Sequence, residues 1–339
     1  MRIWLPYVET GTGTDVFTKT LADSLSQRGH DAQITAFSHW WQYAPWRLRL
    51  VRIPDDTQVV VANSWNAFAF KREGIPLVSV EHLLVLDPAL APYRSFPQAV
   101  FHNTFVRYFE RRSAAAAEIT VAVSEYTAGQ LRRHVAITPK VIPNGVDTHF
   151  FRPDDTLPSA DERDLVLLFV GTISKRKGAD LLAPIMKSLG PGYQLRITGE
   201  QDDAADLVGI PGVTLVGSLD RTRLRIAYRE SDLLLFPSRL EGLPLVVLEA
   251  MACGTPVVAS KASSIGEIVS DGVTGRLCPV DDVESFVAAI RELRENPERL
   301  AEMAVAARRT VETGFSIDRM TDDYLSLFER LTLPGGRIA

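Results

Sequence analysis

The chain is poor in cysteine: Cys253 and Cys278 are the only two in 339 residues. Two thiols make no disulfide framework and show no metal-site spacing, so a reducing, cytoplasmic setting is expected. No apolar run is long enough to cross a bilayer, and Met1-Arg2-Ile3-Trp4-Leu5-Pro6 is too short to read as a signal peptide. No repeat recurs at solenoid periods. Positive charge is not in excess either: the net charge is −5, so nucleic acid is not an expected partner. No Asp-any-Asp pair is present to bind a divalent cation, and no metal ligand is assigned. What remains is ordinary for a globular protein, 46% hydrophobic and 23% charged. The length is long for one domain and predicts two.

The most informative stretch is Ser231 to Ser260, S-D-L-L-L-F-P-S-R-L-E-G-L-P-L-V-V-L-E-A-M-A-C-G-T-P-V-V-A-S. It reads as a buried strand ending at Phe236, a loop, a short apolar helix, and a second buried strand. Pro244 suits the first helical position, where a missing N–H loses no intrahelical bond. Cys253-Gly254 and Pro256 read as a helix stop. Glu241 lies in the loop and Glu249 in the helix. The helix is apolar nearly all round, so Glu249 should be buried and needs partners: ligand hydroxyls, backbone amides or an Arg. A paired core glutamate is the plainer reading. Against it stand the loop's place beyond a strand's carboxyl end, where open α/β sheets bind ligands, and the helix start, which offers N–H groups to an anion. An anionic ligand bearing hydroxyls fits all three.

The chain begins with a strand at Arg2–Leu5, a loop through Gly13, and a helix from Asp15 to Arg28 with Val16, Phe17, Leu21 and Leu25 at core spacing; Ala32–Phe37 is the second strand. A dinucleotide fingerprint is disfavoured, because Val16 stands where a third Gly belongs and no acid ends the second strand. Val59–Ala62, Pro76–Val80 and Thr120–Val123 read as further strands, with His82 just past the second of these and Ser124 an N-cap. Gln98 to Ala117 reads as a helix. The run from Trp40 to Arg52 is unusual: aromatics, then Arg47-Leu48-Arg49-Leu50 alternating. It reads as a surface strand with half-buried aromatics, or as a surface that stacks on a sugar or touches a membrane peripherally. Leu165–Val170 is a central strand followed by G-T-I-S-K-R-K-G at Gly171–Gly178. Gln194–Thr198, Val213–Val216 and Asp232–Phe236 follow, with helices from Val283, Pro297 and Ser316.

The string E-G-L-P-L-V-V-L-E-A-M-A-C-G-T-P-V-V-A, with both acids in register, resembles the signature of family 4 retaining glycosyltransferases. The resemblance implies the α/β GT-B fold: two facing Rossmann-like domains with parallel sheets and a C-terminal helix crossing back to the first. It implies residues 1–153 as the acceptor domain, 154–315 as the donor domain, and 316–339 as the returning helix, with Asp154–Asp164 as the linker. It implies that Glu241 contacts the donor sugar, that Glu249 takes the ribose hydroxyls, and that His82 stands beside the sugar. Gly13 matches a donor-facing glycine of the first loop, and Asp15 the acid that follows it. In the loop at Gly171 the family carries two cations on the diphosphate. Lys177 matches one; Thr172 replaces the other, and Lys175, Arg176 or Arg239 could assist.

Gly171, Thr172, Gly199, Ser218, Leu219, Gly242, Leu243, Pro244, Leu245 and Val246 complete the expected donor site, with the base near Thr198-Gly199-Glu200 and Gly217-Ser218-Leu219. The activity so implied is transfer of a sugar from a nucleoside-diphosphate sugar to a glycan, lipid-linked or small-molecule acceptor, in bacterial polysaccharide or glycolipid synthesis, with no cofactor and no metal. A nucleotide-sugar epimerase on a similar scaffold is one rival. A catalytically weak nucleotide-sugar-binding subunit, suggested by Thr172, is the other.

Overall fold

A computed structural model of the chain describes residues 1–153, 163–199 and 206–333. These form two compact units: Met1–Gly145 with Ile317–Ala339, and Val146–Ser316. Eight residues that the sequence placed at the end of the first domain, 146 to 153, thus belong to the second. The N–H of Val146 donates to the Phe315 carbonyl, Arg308 donates to the Thr148 and Phe151 carbonyls, and Phe151 packs on Tyr228. The expected linker at Asp154 falls outside the described residues except for Arg163 and Asp164, as does Glu200.

The first unit holds a six-stranded parallel sheet: β1 (Arg2–Val8), β2 (Asp31–Phe37), β3 (Val59–Asn63), β4 (Leu77–Glu81), β5 (Ile119–Ala122) and β6 (Lys140–Val141), in the order β2-β1-β3-β4-β5-β6. β1 runs three residues past its expected end. It pairs with β3 at Ile3 and Trp4 but with β2 as far as Val8, so Pro6 interrupts no ladder on the β3 side. The first helix is Gly13–Gln27; Phe17, Leu21 and Leu25 are buried, while Val16 faces solvent. Ser124 caps the Glu125–His134 helix, its Oγ accepting from the Thr127 N–H at 3.0 Å. The final helix, Ile317–Thr332, lies on the Gly13–Gln27 helix, with Ser24 and Thr321 hydroxyls 2.8 Å apart and Arg28 paired to Asp318 and Asp322.

The second unit holds β7 (Leu165–Phe169), β8 (Tyr193–Thr198), β9 (Val213–Gly217), β10 (Leu233–Phe236), β11 (Val257–Ser260) and β12 (Gly275–Cys278). Their order is β12-β11-β10-β7-β8-β9, all parallel. From β7 the chain builds outward through β8 and β9, then returns to lay β10, β11 and β12 on the other side. The order therefore reverses between β7 and β10, the Rossmann switch point where such sheets bind ligands. Phe169, Leu195, Leu233, Val258 and Phe286 lie in its buried core. Among the described residues no helix is long and apolar enough to cross a membrane.

Candidate functional site

The loops that leave β7 and β10 meet at that switch point. Gly178 ends the first loop with φ at +73°, and a Cβ there would stand 2.1 Å from the Pro237 carbonyl oxygen of the second. Only glycine permits this approach, which brings Lys177 and Glu241 together across 64 residues of sequence. Lys177 Nζ donates to Glu241 Oε1 at 2.6 Å and lies 5.5 Å from the centre of the Phe236 ring. The Lys177 side chain runs past Gly171, where a Cβ would lie 3.9 Å from its Cε.

Glu241 is buried and densely partnered. Ser238 Oγ donates to Oε1 at 2.5 Å, Arg176 Nη1 stands 3.5 Å from the same oxygen, and the Glu241 N–H donates to Ser263 Oγ at 2.8 Å. Ser263 is held at φ +46°, strained backbone of the kind that gathers at functional sites. Burial works to raise the Glu241 carboxyl, but the Lys177 and Arg176 charges and the Lys177 and Ser238 hydrogen bonds outweigh it. Its pKa lies below the ordinary value. The pair therefore presents a fixed cation beside a carboxylate that stays ionised.

The helix after this loop is Leu245–Ala252, with Pro244 as the N-cap rather than the first helical residue. The Pro244 carbonyl accepts from the N–H groups of Val247 and Leu248, which leaves Leu245 and Val246 N–H without an intrahelical acceptor. Glu249 is half-buried, and its hydrogen-bond partner is neither an amide nor an Arg. The Tyr228 hydroxyl donates to Oε2 at 2.9 Å. Burial pushes the Glu249 carboxyl up to about 7, against the Tyr228 hydrogen bond and the Arg221 charge. Nothing in the spacing of the sequence pointed to Tyr228, which arrives from the Arg221–Arg229 helix.

The remaining expected residues divide. Gly199 (φ +135°) closes on Ile173, where a Cβ would lie 3.1 Å from Cδ1, and Thr198 Oγ1 accepts from the Gly171 N–H at 3.1 Å. The Gly171 and Gly199 loops are thus tied to each other. Thr172 and Ser218 are exposed, Leu219 is half-buried, and Gly242 and Leu243 are buried beside Glu241. Arg176 is at the pair, its Nη1 also donating to the Leu240 carbonyl at 2.7 Å. Arg239 is not available as an anion ligand. It is spent on Asp180 at 2.7 and 2.9 Å and on Asp281 at 2.6 Å, and it donates to the Lys175 carbonyl. It braces the loops instead, and Lys175 itself is exposed.

In the first unit, Gly13 opens its helix, and Asp15 folds the preceding turn onto itself by accepting from the Thr10 and Gly11 N–H groups at 3.0 and 2.8 Å. His82 follows β4, half-buried, its ring edge-on to Phe17 at 4.7 Å. Burial lowers its pKa to about 4, so the imidazole is neutral.

The two loops make a candidate ligand site at the switch point of an open α/β sheet, and comparison with known proteins gives the class. The profile of the group 1 glycosyl transferases matches residues 155–310, and that of Glycosyltransferase Family 4 matches residues 36–150. The chain is 33% identical over 293 residues to the D-inositol 3-phosphate glycosyltransferase of Segniliparus rotundus, a match covering 79% of this chain and 64% of that protein, under two thirds of its length. Sucrose-phosphate synthase from Thermosynechococcus elongatus superposes with a TM-score of 0.83 at 18% identity, over 97% of this chain and 99% of that one. The Anabaena protein HepE in complex with UDP superposes with a TM-score of 0.74 at 18% identity, over 97% and 100%. The chain belongs to the family 4 glycosyltransferases, and its fold is GT-B.

Proposed function

We propose that the protein is a retaining glycosyltransferase that moves a sugar from a nucleoside-diphosphate sugar to a hydroxyl-bearing acceptor, without a metal. The observation that carries this reading is the Lys177–Glu241 pair at the switch point between β7 and β10. Lys177 Nζ and the Leu245 and Val246 N–H groups would hold the diphosphate as the bond from the anomeric carbon to phosphate oxygen breaks and the electron pair leaves with that oxygen. An acceptor hydroxyl then bonds to the anomeric carbon on the same face, and its proton passes to the departing diphosphate. Glu241, kept ionised, fixes Lys177 and accepts from a donor-sugar hydroxyl; Glu249 serves the ribose hydroxyls. His82, neutral at its strand end, is a hydrogen-bonding group for a sugar hydroxyl.

Thr172 leaves one cation fewer than the family pattern, and Arg176, whose Nη1 stands 3.5 Å from Glu241 Oε1, would compensate. UDP is the first donor nucleotide to try, since HepE is seen with it. A polyol phosphate is the first acceptor, after the Segniliparus relative's name. The critical measurement is kcat/KM of Lys177→Ala for sugar transfer. A fall of about 100-fold or more is expected from loss of one group that stabilises departing charge; an unchanged value would remove the proposal.

A further inference from the structure

The surface of the first unit carries a feature to which the proposed transfer step assigns no role. The run from Trp40 to Leu50 is not a strand but two 3-10 turns, His39–Tyr43 and Pro45–Leu50. Near them a helix at Phe96–Phe101 passes through a π turn, His102–Val106, into a further helix at Arg107–Ala116. The rings of these segments form one series. Trp40 lies 6.2 Å from Tyr43, Tyr43 5.4 Å from Phe101, Phe101 5.7 Å from Phe105, Phe105 6.4 Å from Phe109, and Phe109 6.2 Å from Trp46. Phe109 is buried and stacks on buried Phe68 at 5.8 Å, which roots the series in the core. Its other end is open: Trp40 is 69% exposed, and Phe96 and Leu50, on the same segments, are 82% and 90% exposed. Single exposed apolar residues are common, but a linked series of them marks an interaction surface.

Charge says what kind. Arg47, Arg49, Arg107, Arg111 and Arg112 lie on the same segments, all exposed, and none is in a salt bridge among the described residues. Arg49 and Arg112 place their guanidinium carbons 5.7 and 5.9 Å from the Phe68 ring, which ties them to the ring series. A chain of net charge −5 thus gathers unpaired cations around its most exposed aromatic surface. We propose that this surface docks the protein on an anionic lipid bilayer. The Trp and Tyr rings would sit at headgroup depth, Leu50 and Phe96 would reach the acyl boundary, and the arginines would lie on lipid phosphates. Arginines without a salt-bridge partner among the described residues, interleaved with interface-seeking rings, suit a fluid anionic surface, because lipid phosphates can move to each cation. A protein partner would have to present acids at five fixed positions.

The test is flotation of the whole chain with phosphatidylcholine vesicles and with vesicles that also contain phosphatidylglycerol. Binding should be about tenfold or more stronger to the anionic vesicles and should weaken with salt. Trp40→Ser with Leu50→Ser, and separately Arg47→Glu with Arg111→Glu, should each reduce binding about tenfold. All four residues are exposed, so thermal unfolding should be unchanged. Brominated acyl chains should quench tryptophan fluorescence in the wild type, and Trp40→Phe with Trp46→Phe should abolish the added quenching. The proposal is overturned by absence of binding to either vesicle, by wild-type binding in both variant pairs, or by a lipid-independent dimer that both pairs dissolve. None of these readouts depends on catalysis.

Discussion

At the scale of single residues, the pair at the switch point makes opposite demands on stability and on chemistry. Glu241 is ionised and buried, so Lys177→Ala removes its main counter-charge and leaves the anion to Arg176 and Ser238. Thermal unfolding should report a loss of about 3 kcal/mol for Lys177→Ala. Adding Glu241→Gln should restore much of that loss while leaving transfer activity absent. If the double variant is no more stable than the single one, the carboxylate is not the source of the cost. Lys177 and Glu241 were both legible in the sequence as members of a motif. Their contact was not, nor was the role of Ser238, three residues before Glu241 in a loop whose path no local rule fixes. Tyr228 was invisible for a stronger reason: its hydroxyl reaches Glu249 from a helix whose position depends on the whole sheet.

At the scale of elements, two features can be tested by single changes. Gly178→Ala forces a left-handed residue against the Pro237 carbonyl, so the β7 and β10 loops must part. A loss on the order of 3 kcal/mol is expected, together with loss of nucleotide affinity, read by thermal shift with UDP. Retained affinity would mean that the two loops need not touch. The second feature joins β4 to the Arg107–Ala116 helix. Glu81 and Glu110 are both buried there, and three of their four carboxyl oxygens find no hydrogen-bond partner among the described residues. Burial raises the Glu81 carboxyl to about 7, and burial followed by the Glu81 charge raises Glu110 well above the ordinary value.

The folded state therefore keeps protons that the unfolded chain releases between the ordinary carboxylate range and about 7. Stability from this pair is fully present below that range and is lost as pH rises through 7. The melting temperature should fall between pH 5.5 and 8, and Glu110→Gln should flatten that fall and raise stability at pH 8. The strand at β4 and a helix over Gln98–Ala117 were both expected, and the structure breaks that helix with the π turn at His102–Val106. The 3-10 turns at His39–Leu50 were not expected, because Arg-Leu alternation mimics a strand while Leu48 is buried in the core and Trp46 rests its ring near Phe109.

At the scale of the whole molecule, the last helix is a structural part of the first unit despite following the second in sequence. Ile317–Thr332 buries Met320, Tyr324, Leu327 and Phe328, and its hydroxyl and salt-bridge contacts to the Gly13–Gln27 helix are all within that unit. A chain ending at Ser316 should leave the second unit folded and expose the first to limited proteolysis. Survival of the first unit under that digestion would show that the helix is dispensable. The alternation of strands and helices, the double acid motif and the two units could all be anticipated from the order of residues, because they rest on apolar periodicity and on Gly and Pro placement. The sequence by itself determined two parallel α/β units, put Lys177 and Glu241 in loops that follow strands, and put Glu249 in the short apolar helix. Only the tertiary structure decided that Lys177 belongs to Glu241, that Arg239 is taken up by Asp180 and Asp281, and that Glu249 answers to Tyr228. Those pairings are set by which strands become neighbours and how closely two loops can approach, and pairings of that kind leave no periodic trace along a chain.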